Sequence, residues 1–404
     1  MTSQMTTTIL HLIPSLEVGG SETLLLDLVR GTRDAAYRHV VVSMVGEGAL
    51  VDTFRNEGIP VDSLGMARGR PDLRALARFR AILRAERPAV VQAWMYHANL
   101  LALVSVPWLR PAPRLVWCLH AAALDFARLS LLTRLTIRLG ATLSRHPAAV
   151  VANSEATRDY HATLGYRPRE WSIIYNGIDV SRFAPDARAS ADVRAELGLS
   201  PDTKLVGLFA RWDPMKDHGT FLRAAARLAA SDPSTHFVLA GQGITSENGE
   251  LQRLLDTAKP TLAARVHLLG LRRDMPRLNA ALTIAAVTSS SSESFCLGAA
   301  EAMASGVPCV VTNLTFLPTL VGDSGIVVPL GDAEGVAAAI HQLLNLGDEE
   351  RRDLGARARH RIVKHFTLEA TIGRYRALYD RLLDVARPSG PGLGAALGAG
   401  GGVR

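Results

Sequence analysis

The chain has 404 residues, which is too long for one ordinary hydrophobic core, so we expect two domains. Hydrophobic residues make up 48% of the chain and charged residues 21%, values typical of a folded soluble protein and not of a disordered one. The formal net charge of +7 favours an acidic partner such as a nucleotide, a phosphate or an anionic lipid. Nucleic acid is disfavoured, because aromatic residues make up only 5% and are not interleaved with the basic ones.

No stretch of the sequence has the pattern of an export signal or a membrane span. Residues 1–20 carry no basic region followed by a long apolar core and a cleavage site, so we do not expect a secretory signal peptide. The most apolar stretch, residues 98–109, is interrupted by Pro107 and is shorter than the roughly 18 residues a spanning helix needs. Cysteine occurs only at Cys118, Cys296 and Cys309. These are too few and too scattered for a disulfide framework or a metal site, and the simplest compartment is a reducing cytoplasm.

The first half of the chain alternates short apolar strands with helical patterns. Residues 6–14 predict a buried strand, and residues 21–31 predict a helix with Ser21 as its N-cap and Gly31 as its end. Further strands are predicted at residues 38–46, 89–94, 114–120 and 148–154, and further helices at residues 48–58 and 71–88. This alternation predicts a parallel sheet with helices on both faces.

The alternation pauses at residues 176–200, which are polar, contain proline and predict a linker followed by a short helix. It then restarts, with strands predicted at residues 204–210, 236–241, 265–270, 282–289 and 308–313, helices between them, and a last helix at residues 367–386. The fold class is therefore α/β, with two doubly wound domains. Ligands of such sheets bind in the cleft at the carboxyl ends of the strands.

Two basic residues follow directly on a predicted strand of the second domain. Lysine occurs only at positions 204, 216, 259 and 364, and Lys216 comes shortly after Arg211, where the strand gives way to a helix. A cation at the start of a helix is misplaced for the helix dipole, which favours anions there. The position is explained if an external anion such as a diphosphate binds between Arg211, Lys216 and the free helix N–H groups. An exposed basic turn is the alternative interpretation.

Two glutamates lie around the start of a later helix. Glu293 follows a serine-rich loop after the strand predicted at 282–289, and Glu301 lies on the next predicted helix. That helix must begin near residues 295–298, so the backbone N–H groups of residues 295–297 can point at an anion. Glu301, about one turn into the helix, can accept hydrogen bonds from two hydroxyls, as a ribose would offer. Alternatively, Glu293 is an N-cap and Glu301 a solvated helix residue.

Seven motifs run nearly end to end along the chain. They are "VGGSE" (18–22), "VVANSEATRDYHATLGY" (150–166), "IIYNGIDVSRF" (173–183), "GLFARWDPMKDHGTFLRAA" (207–225), "FVLAGQG" (237–243), "VHLLGLRRDMPRLNAA" (266–281) and "ESFCLGAAEAMASGVPCVVTN" (293–313). In this order and spacing they resemble family 4 glycosyltransferases, retaining enzymes of the two-domain type called GT-B. Residues 92–102, "QAWMYHANLLA", resemble the members from polysaccharide and surface-glycan loci.

The resemblance implies a fold, a reaction and a division of labour between domains. We expect an acceptor-side Rossmann-like domain at residues 1–178, a nucleotide-sugar-binding domain at 179–365, a helix at 366–388 that packs back on the first domain, and a disordered glycine-rich tail at 389–404. The enzyme would move a sugar from a UDP- or GDP-sugar to a glycan or lipid-linked acceptor in cell-surface polysaccharide synthesis, with the anomeric configuration retained. We expect no metal or other cofactor, since the sequence has no Asp-x-Asp.

Carried over by position, the resemblance also implies roles for individual residues. Arg211 and Lys216 would hold the donor diphosphate, Glu293 the donor sugar and Glu301 the ribose, and the backbone of Phe295, Cys296 and Leu297 would bind phosphate and sugar. Gly19 and Gly20 would let the donor phosphate and the acceptor come close, His120 would lie near the donor sugar, and Asn153 and Asn176 resemble structural or acceptor-side asparagines. The candidate catalytic residues are Glu293, Arg211, Lys216 and His120. The alternatives are a plain strand-to-helix turn for the glycines and a core histidine for His120.

Three departures from the family pattern keep other functions open. Thr283 stands where an aspartate is usual, Ser294 where a glycine is usual, and residues 314–321 include the bulky Phe316 and Leu317 near the expected donor site. These changes motivate the alternative of a catalytically degenerate partner subunit of a glycosyltransferase complex. A UDP-sugar 2-epimerase-like enzyme shares the architecture, although the Glu293 and Glu301 pair and the segment around Lys216 argue against it.

Arginine-rich helices in the first half of the chain favour contact with an anionic membrane. The arginines are Arg70, Arg74, Arg78, Arg80, Arg84 and Arg87 around the helix predicted at 71–88, and Arg134 and Arg138 in the leucine-rich segment 129–143. We expect these faces to contact an anionic membrane that holds a lipid-linked acceptor, which would place the protein peripherally on the inner face of the plasma membrane. Ordinary solvated faces are the alternative.

Overall fold

The computed structural model describes residues 6–33, 36–46, 48–67, 72–257, 262 and 264–384. Within them the chain forms two parallel β-sheets, of seven and six strands, with helices packed against them. The predicted α/β architecture of two doubly wound, Rossmann-like domains is confirmed. Arg70, the predicted tail at 389–404 and the last residues of the predicted helix 366–388 lie outside the described residues.

The first sheet has the strand order β3-β2-β1-β4-β5-β6-β7. Its strands are β1 (Thr7–Ile13), β2 (Tyr37–Val45), β3 (Val61–Met66), β4 (Val90–Trp94), β5 (Arg114–Leu119), β6 (Ala149–Ala152) and β7 (Trp171–Ile173). Its helices are α1 (Gly20–Thr32), α2 (Val51–Asn56), α3 (Leu73–Glu86), α4 (Met95–Ser105), α5 (Leu131–Leu143) and α6 (Glu155–Thr163).

The second sheet has the strand order β10-β9-β8-β11-β12-β13. Its strands are β8 (Lys204–Phe209), β9 (Thr235–Ala240), β10 (Val266–Leu268), β11 (Ile284–Val287), β12 (Cys309–Thr312) and β13 (Gly325–Val328). The helices from here on are α7 (Ala187–Glu196), α8 (His218–Ser231), α9 (Gly249–Thr257), α10 (Met275–Ala281), α11 (Leu297–Ala304), α12 (Leu317–Val321), α13 (Ala333–Leu344), α14 (Asp348–His365) and α15 (Leu368–Asp384).

The strand side chains alternate between two apolar cores, one on each face of a sheet. In β1, Ile9 and Ile13 belong to one core cluster, whereas Leu10 and Leu12 belong to the other. All four are fully buried, and burying such a side chain contributes about 1.5–3 kcal/mol. The near-continuous apolar strands of the sequence therefore reflect sheets that are covered on both faces. The carboxyl edge of each sheet is left to carry loops.

Helix α15 returns to the first domain. Its side chains Tyr375 and Tyr379 join the same core as Ile9, and the Tyr379 hydroxyl donates a hydrogen bond to Oε1 of Gln92 at 2.5 Å. The prediction that Gly31 ends α1 is wrong, because the helix continues to Thr32. A Cβ at Gly31 would lie 2.2 Å from Cδ1 of Ile372 on α15. The glycine therefore permits the close approach of two helices and does not end one of them.

Other differences from the predicted elements have local causes. Gly19, not Ser21, is the N-cap of α1, and the Ser21 hydroxyl donates to Oε2 of Glu22 at 2.9 Å instead. The strands β3, β7 and β13 were not predicted, and all three lie at the edges of their sheets. An edge strand has fewer neighbours, so its apolar pattern is weaker. Helix α4 was not predicted because its apolar residues surround the helix and give no periodic stripe.

Candidate functional site

A cavity of about 920 Å³ lies between the two domains. Its walls come from residues that directly follow the carboxyl ends of strands, including Met95 after β4, His120 after β5, Asn153 after β6 and Thr288 after β11. The predicted site residues that line the cavity are Gly19, Gly20, His120, Arg211, Lys216, Glu293, Cys296 and Leu297. The carboxyl edges of both sheets therefore face one shared space, as expected of doubly wound domains.

Arg211 and Lys216 are presented by the segment between β8 and α8. Asp213 accepts hydrogen bonds from the Arg211 guanidinium, the shorter at 2.8 Å, and from the Met215 backbone N–H at 3.0 Å. Lys216 ends a single 3-10 turn, Pro214–Lys216, before α8 begins. The hydroxyl of Thr288 donates to the backbone carbonyl of Lys216 at 3.0 Å and so attaches this turn to the loop after β11. The two cations thus project from a braced turn into the cavity.

Lys216 forms an ion pair with Glu293. Its Nζ lies 2.5 Å from Oε2 of Glu293, and the two side chains are only 20% and 11% exposed. Burial alone would lower the pKa of Lys216, but the Glu293 carboxylate more than offsets this effect, and the pKa lies above its ordinary value. The hydroxyl of Ser289 donates a second hydrogen bond to the same carboxylate oxygen at 2.9 Å. The two groups that the sequence predicted to contact the donor therefore contact each other.

The loop that carries Glu293 adopts an uncommon backbone. Ser292 and Cys296 have φ values of 55° and 69°, in the left-handed region that disfavours residues with a Cβ. Such conformations cost about 1 kcal/mol or more each and concentrate at functional sites. Cys296 is the N-cap of α11 and makes no side-chain capping hydrogen bond. Leu297 and Gly298, at the start of α11, line the cavity wall, where helix N–H groups favour an anion.

Ser294 joins this loop to the first domain. Its hydroxyl donates to the backbone carbonyl of His120 at 3.0 Å and accepts from Nδ2 of Asn153 at 2.9 Å. The hydroxyl of Ser154 donates to the Ser294 carbonyl at 2.8 Å. The side chain that replaces the usual glycine therefore points at the other domain. It fixes the loop across the domain boundary.

The side chains of the other two departures do not line the cavity. Thr283 immediately precedes β11, at the amino end of that strand, and its hydroxyl accepts a hydrogen bond from the Leu205 N–H at 3.0 Å. Phe316 and Leu317 are 2% and 0% exposed and belong to the core of the second domain. None of these three residues lines the cavity. The 314–321 stretch still contacts the loop of the site, because the Thr315 hydroxyl donates to the Glu293 carbonyl at 2.6 Å.

His120 and Asn176 present neutral polar groups to the cavity from the first domain. The His120 ring stacks on Trp94 with centroids 5.2 Å apart. Burial lowers the pKa of His120 to about 4, an effect that an interaction with the Asn176 side chain opposes, so the ring is neutral at pH 7. Asn176 is 6% exposed. The two side chains form a neutral polar pair at the cavity wall, where such groups can hydrogen-bond the hydroxyls of a ligand.

The glycine loop of the first domain touches the second domain. A Cβ at Gly20 would lie 3.3 Å from Cδ1 of Leu297, the first residue of α11. A Cβ at Gly19 would lie 2.4 Å from Oε2 of Glu22. Gly20 therefore lets the loop approach the start of α11, while Gly19 leaves room for the Glu22 carboxylate.

Phe295 and Glu301 are the two predicted site residues whose side chains do not line the cavity. Phe295 is 1% exposed and packs against Phe316 and Phe366 in the core, so any ligand contact would come from its backbone. Glu301 lies in the second turn of α11. Burial raises the pKa of Glu301 to about 7, and the charge of Arg182 opposes this increase. Its contact with a ribose remains a prediction.

The cavity also includes residues that the sequence did not single out. Glu17 and Glu22 line it from the first domain, and Gln242 lines it from the second. Glu22 lies within the motif "VGGSE", and its position just after the two glycines was the available signal. Across the described residues, no group of three or more His, Cys, Asp or Glu side chains is arranged to hold a metal ion. Among the described helices, none combines the length and apolar character needed to cross a bilayer.

Comparison with known proteins defines the class. Residues 18–182 match the family model described as Glycosyltransferase Family 4, and residues 203–346 match the one described as Glycosyl transferases group 1. The first domain is thus similar to Glycosyltransferase Family 4 domains and the second to Glycosyl transferases group 1 domains, on the two-domain GT-B fold.

The individual relatives match only part of the chain. The chain is 34% identical over 224 residues to D-inositol 3-phosphate glycosyltransferase of Mycobacterium marinum, which is 54% of this chain and 46% of the relative. The Mycobacterium tuberculosis protein of the same name is 33% identical over 242 residues, 58% of this chain and 48% of the relative. The chain thus spans about half the length of the curated relatives it matches.

Solved structures share the fold over nearly the whole chain. The structure of Anabaena HepE in complex with UDP-glucose has a TM-score of 0.79 at 23% identity and covers 92% of this chain and 99% of its own. Sucrose-phosphate synthase from Thermosynechococcus elongatus has a TM-score of 0.78 at 19% identity and covers 94% of this chain and 100% of its own.

Proposed function

We propose that the cavity binds a nucleoside-diphosphate sugar, and that the protein transfers the sugar to a glycan or lipid-linked acceptor with its anomeric configuration retained. The observation that carries this proposal is the convergence of Arg211, Lys216 and the start of α11 on one cavity shared by both domains. Positive charge and free N–H groups at this place would stabilise the negative charge that develops on the departing diphosphate. UDP is the first nucleotide to test, since HepE was solved with UDP and UDP-glucose.

The ion pair between Lys216 and Glu293 links the two groups that we propose hold the donor. Oε2 of Glu293 lies 2.5 Å from the Lys216 Nζ and neutralises its charge. A diphosphate would compete for the lysine and release the carboxylate toward the sugar, where it can accept hydroxyl hydrogen bonds. Both groups can then act without a metal ion. We propose a front-side mechanism in which the β-phosphate helps to take the proton of the acceptor.

The reaction can be tested by product analysis. Purified protein would be incubated with UDP- and GDP-sugars and a panel of glycan acceptors, with Mg²⁺ or with EDTA, and nucleoside diphosphate release would be measured. We expect acceptor-dependent release with one donor series, equal rates in EDTA, and a product whose anomeric proton shows the configuration of the donor. Epimerised nucleotide-sugar formed without acceptor would indicate the epimerase-like alternative. Inverted product or dependence on Mg²⁺ would contradict the proposed mechanism.

We further propose that helix α5 contacts an anionic membrane. Leu131, Leu135 and Leu139 follow one another at helical spacing and are 81%, 60% and 46% exposed, with the exposed Arg138 beside them. An apolar stripe next to arginine is typical of a helix that lies in the membrane interface. Arg134 is less available, since its guanidinium donates to the carbonyls of Leu129 and Ala127.

Helix α3 supports this surface less directly. Arg78 pairs with Asp72 at 3.2 Å, and Arg80 lies over the ring of Trp108 at 5.2 Å, so both side chains have partners within the protein. Co-sedimentation with vesicles of anionic or neutral lipid would test the proposal. The variants are Leu135→Asn and, as a control, Leu330→Asn, which makes the same change at an exposed leucine of the second domain. We expect the wild type to bind anionic vesicles but not neutral ones, and we expect Leu135→Asn, but not Leu330→Asn, to weaken this binding. Absence of binding to anionic vesicles would contradict it.

A further inference from the structure

The two domains contribute charges of different sign to the cavity. The second domain contributes the cations Arg211 and Lys216, together with Glu293, which is paired with Lys216. The first domain contributes two carboxylates, Glu17 and Glu22, and among its described residues that line the cavity there is no lysine or arginine. The first domain is rich in arginine elsewhere, so its side of the cavity differs in charge from the rest of its surface.

Glu22 is held at the cavity wall by its neighbours. The Ser21 hydroxyl donates to its Oε2 atom at 2.9 Å, and the missing Cβ of Gly19 leaves the space that this oxygen occupies. Glu22 lies in the first turn of α1, where the helix dipole favours a negative charge. Burial raises the pKa of Glu22, and the hydrogen bonds from its own backbone N–H and from Ser21 oppose this increase, as does the charge of Arg211. Glu22 and Arg211 line the same cavity from the two domains.

The remaining polar groups on this side are neutral. Asn176 is 6% exposed and interacts with the His120 ring, which burial keeps neutral at pH 7. Neutral groups of this kind match the hydroxyls of a sugar or polyol, which donate and accept hydrogen bonds without carrying charge. A phosphate placed here would lie beside Glu22 and Glu17 with no cation from the first domain to bind it. Repulsion between like charges at such a site is a common source of selectivity.

We propose that the part of the acceptor that enters this cavity is an uncharged sugar or polyol, and that Glu22 is the specificity-determining residue that excludes acceptors carrying a phosphate there. This inference rests on the proposed transferase function and names the substrate class of the same site. It separates the chain from its curated relatives, which are named for an inositol phosphate acceptor. Any phosphate of a lipid-linked acceptor would then lie outside the cavity.

The test compares a neutral and a phosphorylated probe of the same shape. Protein saturated with UDP would be titrated by calorimetry with myo-inositol and with inositol 3-phosphate, using the wild type, Glu22→Gln, Glu22→Lys and the control Glu350→Gln on an exposed residue of α14. We expect inositol 3-phosphate to bind Glu22→Lys at least about tenfold more tightly than the wild type, with Glu22→Gln in between. The affinity for myo-inositol should change less than about threefold, and the control should match the wild type.

The outcomes separate this inference from the proposed function. Equal affinity of the wild type and Glu22→Lys for inositol 3-phosphate, including undetectable binding to both, would overturn the role of Glu22. Tight binding of inositol 3-phosphate by the wild type would overturn the uncharged acceptor. Failure of the wild type to bind UDP in the first step would instead count against the donor site. Glu22→Gln should also bind UDP a few-fold more tightly, because Arg211 loses a competing carboxylate; weaker UDP binding would contradict this arrangement.

Discussion

Replacing Lys216 by methionine separates its structural role from its proposed role in donor binding. The substitution removes the cation 2.5 Å from Glu293 and leaves a carboxylate that is 11% exposed with the Ser289 hydroxyl as its remaining side-chain donor. Breaking a buried pair by removing one partner costs about 3 kcal/mol. Loss of a charge-assisted hydrogen bond to a diphosphate should cost about 2 kcal/mol of UDP binding, or roughly 30-fold in Kd.

The double variant Lys216→Met with Glu293→Gln is the decisive comparison. Removing both charges leaves no unpaired carboxylate, so urea unfolding should show most of the lost stability restored. Calorimetry should show UDP binding that stays well below the wild-type affinity, because the cation is still missing, although neutralising Glu293 removes its repulsion of the diphosphate. Lys364→Met, on an exposed lysine of α14, is the matched control and should change neither quantity. A single variant as stable as the wild type, or a double variant that regains UDP binding, would refute the reasoning.

Two further predictions concern stability. Burial raises the pKa of Glu301 from 4.5 to about 7, so the folded protein binds this proton more tightly than the unfolded chain does. The free energy of unfolding of the wild type should therefore fall as the pH rises from 4.5 to 7. Glu301→Gln should be about 2–3 kcal/mol more stable than the wild type at pH 8 and about as stable at pH 4.5, as measured by urea unfolding. A difference in stability that does not change with pH would contradict this explanation. Gly31→Ala should destabilise by about 1–3 kcal/mol, because its Cβ would meet Ile372 at 2.2 Å, and Ile372→Ala should relieve most of that loss. Additive destabilisation in the Gly31 and Ile372 double variant would show that the contact is not the cause.

The sequence predicted the elements whose pattern is strong and missed those whose pattern is weak. Central strands such as β1 and β8 are buried on both faces and therefore appear as apolar runs. The edge strands β3, β7 and β13 lack that signal. The prediction for Gly31 is wrong because a glycine near a helix end usually follows the last helical residue, whereas here the glycine makes room for Ile372 of α15. The sequence around Gly31 contains no information about the position of α15.

The candidate site shows the same division. Arg211 and His120 could be predicted to face the cleft, because Arg211 lies two residues after β8 and His120 directly after β5 in doubly wound sheets. The pairing of Lys216 with Glu293 joins residues 77 positions apart and depends on side-chain conformation. The bridge from Ser294 to Asn153 spans 141 positions and crosses the domain boundary. Neither contact can be predicted from the spacing of nearby residues. The second contact explains Ser294, which in the sequence is only a departure from the usual glycine.

Calorimetric titration with UDP, GDP and ADP in EDTA tests the central claim most directly, because it asks whether the cavity between the domains is a nucleotide site. The account predicts that one of these nucleotides binds the wild type at a single site, that Lys216→Ala weakens this binding at least about tenfold, and that Lys364→Ala does not. Absence of binding of all three nucleotides to a protein shown to be folded would contradict the account. That result would favour a non-catalytic partner subunit.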